Sequence, residues 1–474
     1  MAEDRMRIAY VHDSPLHGAI QTAYDAPIHL QKLGFTDVVV ADQMTGCLHS
    51  VNEALISRIE QTQNAGLRVW LMDDLFTLSS ASSSGCPGQA ATWDETAQAI
   101  TQLFESVPTI RGMVFRFGET FVHADADFKR HDLLRCDCID CSDLTGVERR
   151  RMVVEFLERV VCREMGKRCI LRLWDLDETG VHADRSLQEK VLSKWAQDPR
   201  FMVSVKHTQT DYWRHQPWNP SIGMEGPARI IEFQCEREYE FIGMLPNWQG
   251  PEWSQGPIEC GERGRTGLAN LRPIDWAGCW IIPVGGGWSK RQASSTLWAD
   301  MNVHSALALS SDPLRDADEI LSEWLTLNGI PEEAHALLSK SADLILRLRY
   351  LDVWRVIADQ RWMPAENWFR DDNFVPGACA SIANTVAEQG MTDLLLSERE
   401  LASAMARSHL MEASGIEWGP HADFILDSYR WALEFAEWTE RVWSELLSSV
   451  PLRRNDAKRI LIEAEPPLPL SVMD

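Results

Sequence analysis

No run of roughly 18 consecutive apolar residues, the length a helix needs to cross a bilayer, occurs in the chain. The opening residues Met1–Arg7 pass into a strand-like RIAYVHDS with no apolar signal core. A cytoplasmic protein is therefore expected. Basic residues are also scarce: 46 Lys and Arg stand against 70 Asp and Glu, a formal charge of −24. Phosphate backbones and anionic membranes require a basic footprint, so nucleic acid and membrane surfaces are excluded as partners. A small anionic ligand is not excluded, but it would need local arginine or lysine against an unfavourable far field. There is no G-x-S-x-G elbow and no H-E-x-x-H pair. Gly285–Gly287 lacks the Lys-Ser/Thr of a phosphate loop and follows the last predicted strand instead of opening a helix. The eleven cysteines are odd in number and scattered, as reduced thiols are. Tyrosine is sparse, at 6, whereas tryptophan reaches 20.

A chain of 474 residues exceeds one ordinary core and suits a barrel of about 250–300 residues plus a second region. Short β-branched runs recur through the first 300 residues: Ile8–Val11, Val38–Ala41, Val69–Met72, Gly112–Phe115, Cys169–Trp174, Phe201–Lys206, Arg229–Phe233 and Cys279–Ile282. Amphipathic stretches such as Ser50–Asn64 and Gly146–Met165 lie between several of them. Eight buried-type strands alternating with helices predict an α/β fold, a (β/α)8 TIM barrel over 1–313. Beyond it the pattern turns helical: Ala317–Asn328, Glu332–Val356, Ala378–Glu388, Ser397–Met411 and Ala422–Leu447, punctuated by Pro331, Pro364 and Pro420. This predicts a C-terminal α-helical domain over 314–474, with an extended tail from Glu465 to Asp474.

In such a barrel, residues just past the carboxyl ends of the strands face the site. Those ends carry His12 and Asp13, Asp73 and Asp74, Arg116 to Glu119, Arg172, Trp174, Asp175 and Asp177, then Lys206 to Asp211, Ile230 to Gln234, and Gly285 to Trp288. Glu232 interrupts an apolar strand, where a carboxylate is costly unless partnered. It faces either a polar cavity or a structural ion pair with Arg116 or Arg172. Glu119, Asp211 and Glu232 together put acidic groups from strands four, six and seven at one mouth. Opposed carboxylates are what glycoside cleavage needs, and Trp174, Trp213 and Trp288 are the indoles placed to stack on a ring.

The stretch from Phe201 to Trp248 resembles the corresponding region of glycoside hydrolase family 67, the α-glucuronidases. The likeness rests on Asp211, Pro217–Pro220, Glu232–Gln234 and the Glu238–Tyr239 pair, with the strand-four FRFGE less specific. The resemblance implies an inverting exo-enzyme acting on an α-linked terminal uronic acid of an oligosaccharide. Glu119 is then the general acid, and Asp211 and Glu232 activate and hold water. Arg116, Arg172 and Lys206 are the implied uronate contacts, with His207, Glu238 and the three tryptophans completing the substrate-binding set. It also implies a homodimer through the helical region and no cofactor in catalysis. Members of that family usually carry a β-rich domain before the barrel, whereas here the first barrel strand is expected to begin almost at Met6.

Three other readings remain open. A retaining barrel would use Glu119 as acid/base and Glu232 as nucleophile, with the carboxyls about 5–5.5 Å apart against about 6.5–9.5 Å for inversion. A metal-dependent sugar isomerase or epimerase would bind its ion through His12, Asp74, His207 and Glu232. A silent carbohydrate-binding barrel would account for the tryptophans alone. Separately, Cys136, Cys138 and Cys141 form a C-x-C-x-x-C run that could hold a structural zinc with His123, His131 or Cys162 as fourth ligand, or stay as reduced loop thiols.

Overall fold

The computed structural model describes residues 5–10, 22–40, 51–75, 88–116, 139–174, 181–192, 198–237, 239–263, 266–272, 276–284, 293–357, 368–370 and 373–472. Eight parallel strands close into a barrel in sequence order: β1 (Met6–Tyr10), β2 (Asp37–Val39), β3 (Arg68–Asp74), β4 (Gly112–Arg116), β5 (Arg168–Arg172), β6 (Phe201–Lys206), β7 (Ala228–Gln234) and β8 (Trp276–Ile282). All eight predicted strands are present. Closure between β1 and β8 depends on Gly278, where a Cβ would lie 2.2 Å from the Met6 carbonyl oxygen.

Helices α1 (Pro27–Leu33), α2 (Glu53–Asn64), α3 (Ala90–Ser106), α4 (Gly146–Leu157), α5 (Arg185–Leu192), α6 (Gly250–Gln255) and α7 (Leu297–Ser311) sheathe the strands. Local chemistry sets their starts. The Asn52 side chain accepts from the Leu55 amide before α2, and Thr145 with Glu148 forms a reciprocal cap on α4. Helix α4 runs on into a π-helical turn, Glu158–Glu164, so the predicted Gly146–Met165 helix is continuous but changes winding.

Alternation along each strand divides the side chains into two sets. Ile8, Val39, Trp70, Val114, Ile170, Met202, Ile230 and Trp280 fill the barrel lumen. The opposite face, including Ala9, Val38, Val69, Met113, Leu171, Val203 and Ile231, packs under the helices. At the amino-terminal end the buried Asp37 accepts from Trp70 Nε1 at 2.9 Å and pairs with Arg68 at 2.7 Å and Arg111 at 2.8 Å. This closes that end of the lumen with a satisfied carboxylate.

One connection departs from helix-after-strand alternation. Between β6 and β7, residues 207–227 form no helix yet are mostly buried. They are held by a Thr208–Trp218 bridge and by the Asn219 amide on the His207 carbonyl at 2.7 Å. Long irregular connections that stay ordered inside a compact fold are often functional.

The C-terminal region is helical, as predicted: α8 (Ala317–Leu327), α9 (His335–Leu338), α10 (Ser341–Arg349), α11 (Asp352–Ile357), α12 (Pro376–Glu388), α13 (Thr392–Ser414), α14 (Ala422–Ser448) and α15 (Arg454–Glu463). The tail contributes a short strand, Ser471–Val472, to a three-stranded sheet with Phe369–Arg370 and Asn373–Phe374. Trp213, Tyr239, Phe241, Leu245 and Trp248 from the barrel loops share one apolar core with these helices. Among the described residues no helix is long and apolar enough to cross a membrane.

Candidate active site

Strand parity decides which polar side chains enter the lumen. Counting in twos from Val114, Ile170, Met202 and Ile230 places Arg116, Arg172, Ser204, Lys206 and Glu232 on the inner face, and the register sets Arg116 beside Arg172, Arg172 beside Ser204, and Lys206 beside Glu232. The carboxyl end of the lumen is therefore a polar layer above an apolar plug.

Glu232 is wholly buried, at 0% exposure. Arg172 donates to it through Nε at 3.0 Å to both oxygens and through Nη2 at 2.9 Å to Oε2. The small Ser204 on the intervening strand leaves the guanidinium room to reach across, and donates to Oε1 at 2.8 Å. Tyr212 completes the set, its hydroxyl donating to Oε2 at 3.2 Å. Burial alone would raise the carboxyl pKa, but the Arg172 charge and hydrogen bonds outweigh it and hold Glu232 below the usual range.

Asp211 sits on the loop above β6, at 9% exposure. Its Oδ1 is paired with the Lys206 ammonium and accepts the Tyr212 amide at 2.9 Å, while Oδ2 accepts the Tyr239 hydroxyl at 2.6 Å. Here too burial pushes the pKa up and Lys206 pulls it further down, leaving the group ionised. The Lys206 ammonium lies 3.6 Å from the Trp174 ring centroid and 4.7 Å from that of Tyr212. Trp174 is half-buried, with its other neighbour the edge-on His182 ring at 5.0 Å. His182 is pushed down to about 4, first by burial and then by Lys206, so it is neutral at pH 7.

Four residues expected at the site from sequence meet a different geometry. Glu232 is not an open base: Arg172, Ser204 and Tyr212 all donate to it and lock it in place, and the ion-pair alternative with Arg172 is the one found. Arg172 for the same reason presents its Nε–Nη2 edge to Glu232 and not to a ligand carboxylate. His207, one residue beyond Lys206, points out of the barrel wall; its Nε2 meets Glu252 of α6 at 3.1 Å among Phe233, Trp218 and Trp253. Trp213 offers no stacking wall, because Tyr239 covers it at 3.8 Å and 10°, and the Arg349 guanidinium lies 5.5 Å from its ring.

Glu119, Glu238 and Trp288 lie outside the described residues, as do Cys136, Cys138 and His12. Cys141 is buried, and its carbonyl accepts from Arg149 at 2.7 Å. Among the described residues no group of three or more His, Cys, Asp or Glu could hold a metal ion.

Ser204 and Tyr212 are partners that sequence reasoning did not single out. Ser204 shares the parity of Lys206, which is the signal that would have found it. A second buried network under the same loops was also not anticipated: Arg214 pairs with Glu252 at 2.6 Å, and Arg237 bridges Glu252 and Glu240. It packs behind the barrel wall and braces the loop that carries Asp211.

No family model matches the chain, and no curated protein matches it. Among solved structures it is similar to a Thermobaculum terrenum O-GlcNAc hydrolase mutant (TM-score 0.45, 9% identity, 98% of this chain and 87% of that one). It is also similar to the protein called CpGH84B (0.44, 8%, 97% and 77%) and to an endo-β-N-acetylglucosaminidase from Cordyceps militaris (0.32, 10%, 64% and 91%). The barrel assignment rests on the strand pairing described above. What fold and site define together is a TIM barrel whose mouth holds two ionised carboxylates, each clamped by its own cation.

Proposed function

We propose that this chain is a glycoside hydrolase in which Asp211 activates the attacking water. The single observation that carries the reading is the contrast between the two carboxylates. Both are held ionised, so neither can serve as the acid at neutral pH. Glu232 has four donors on its two oxygens and no exposed surface, whereas Asp211 has three and keeps 12% of its side-chain surface exposed. Asp211 is thus the base, and Glu232 fixes Arg172 and Tyr212 around it. The acid comes from a third group, for which the resemblance to family 67 names Glu119. A separate acid and a water-activating base give inversion.

The finer proposal is an exo-acting, α-glucuronidase-like enzyme. Arg116 and Lys206 lie on the inner layer and are the cations we assign to a uronate, with Trp174 beside Lys206 as the ring platform. A screen of aryl and oligosaccharide glycosides, α-glucuronides included, tests this. Release of a terminal uronic acid, lost in Asp211→Asn and Glu119→Gln with an unchanged fold, supports it; undiminished turnover in Asp211→Asn removes Asp211 from the mechanism.

A further inference from the structure

Arg349, the last residue of α10, is fully buried, with its guanidinium 5.2 Å from the Phe369 ring centroid, 5.4 Å from Tyr350, 5.5 Å from Trp213 and 5.7 Å from Trp368. A cation in such surroundings loses its water and is held by ring faces and directed hydrogen bonds. One of those bonds is informative: Nε donates at 2.8 Å to the backbone carbonyl of Tyr239. Tyr239 is therefore fixed at three points. Arg349 holds its carbonyl, Trp213 stacks on its ring, and its hydroxyl reaches Asp211 at 2.6 Å. The next residue along α10's exit repeats the pattern. Tyr350 donates to Glu240 at 2.7 Å and accepts the Arg214 amide at 3.0 Å, tying the β7 loop to the β6 loop.

The backbone just past Tyr239 explains why outside support is needed. Phe241 (φ 65°), Ile242 (φ 42°) and Gly243 (φ 74°) are successive left-handed residues. An aromatic and a β-branched side chain disfavour that region, so such a turn persists only where its surroundings impose it. Phe241 is gripped by Phe369, Trp431 and Phe435, all from the helical region. We infer that the helical region completes the candidate site, with Arg349 a positioning residue that sets the Tyr239 hydroxyl, and through it the carboxylate of Asp211. This rests on the reading of Asp211 as the base.

The groups facing Asp211 are Lys206 on β6, Tyr212 beside it and Tyr239 on the β7 loop, with His182 affected by its charge. Removing the Tyr239 hydroxyl takes away one hydrogen bond to a charged group and shifts the acidic limb of kcat/KM upward by about one pH unit. Arg349→Met and the gentler Arg349→Lys shift it in the same direction, lowering kcat about tenfold with KM within about twofold. Tyr239→Phe combined with Arg349→Met goes no further than Tyr239→Phe alone, because both act through one hydroxyl. Arg407→Ala, which breaks an exposed pair with Glu437 on the outer surface, leaves the profile where it was. A loss of urea resistance in the Arg349 variants with an unmoved acidic limb overturns the proposal, as does additivity in the double variant. The carboxyl chemical shift of Asp211, titrated in 13C-labelled full-length protein and assigned with Asp211→Asn, reads the same displacement without any substrate. If that titration moves in Arg349→Lys while Asp211→Asn remains active, the positioning stands and the catalytic reading alone fails.

Discussion

Replacing Arg172 by methionine keeps the bulk of the side chain and leaves Glu232, at 0% exposure, with Ser204 and Tyr212 as its side-chain donors among the described residues. Without its guanidinium the buried carboxylate keeps only the nearby Lys206 charge, which is already paired with Asp211, and it takes up a proton. Protonating at pH 7 a group whose unfolded value is about 4.3 costs roughly 2.7 × 1.36, or about 3.7 kcal/mol. That agrees with the roughly 3–5 kcal/mol measured when one partner of a buried pair is removed. The pH dependence separates this from ordinary repacking. In the native protein Glu232 has a depressed pKa, so its contribution to stability is present above the unfolded value and is lost as pH falls through the folded one. In Arg172→Met the folded pKa is raised instead, so the deficit against the native protein grows as pH rises and shrinks as pH falls toward the native folded pKa. Urea unfolding followed by tryptophan fluorescence should therefore show a deficit of about 4 kcal/mol at pH 7 that shrinks by roughly 3 kcal/mol at pH 4.5. Adding Glu232→Gln should abolish that pH dependence. A deficit below about 1 kcal/mol, or one equal at the two pH values, would refute the argument that Arg172 is what keeps Glu232 ionised.

Asp211→Asn should lower turnover by about 10²–10⁴-fold, the usual contribution of a general base, with an unchanged circular dichroism spectrum. With both site carboxylates held below the usual range, the native rate should stay level as pH falls toward 5 and drop only on the acid side of the ordinary carboxylate value, read from kcat/KM against pH. Gly243→Ala places a Cβ 2.4 Å from Glu236 Oε1 at a φ of 74°, and should cost about 1–3 kcal/mol in urea unfolding. Glu398→Ala removes the carboxylate that caps α11 through the Asp352 and Val353 amides at 2.6 and 3.1 Å. It should cost about 1–3 kcal/mol and speed hydrogen exchange first in α11.

The barrel was legible because its strands are buried on both faces, so each reads as a short β-branched run, and all eight were found within a few residues. The helical region was legible as helix but not in its breaks. The predicted Glu332–Val356 helix is divided into α9, α10 and α11 after a 3-10 turn at Glu332–Ala334. The cause is distant: Glu398 on α13 caps α11, and the Ser341 hydroxyl that bonds Leu338 also accepts the Trp248 amide at 2.9 Å. Both bonds depend on tertiary neighbours, and neither appears as a local pattern. The break is also what turns Arg349 and Tyr350 toward the barrel loops. In the site, period-two counting finds the inner-face cations, and the same counting rejects His207, which is one residue out of phase with Lys206. Which cation pairs with which carboxylate follows from register and from the size of Ser204, and neither could be read from one strand at a time.

The central claim is that Asp211 delivers water to a sugar carbon from the face opposite the leaving group. The most direct test is proton NMR of the first sugar released from an α-linked uronosyl oligosaccharide, recorded before mutarotation. The account predicts the β-anomer as first product. First appearance of the α-anomer, or no uronic acid release while other glycosides are cleaved, contradicts it.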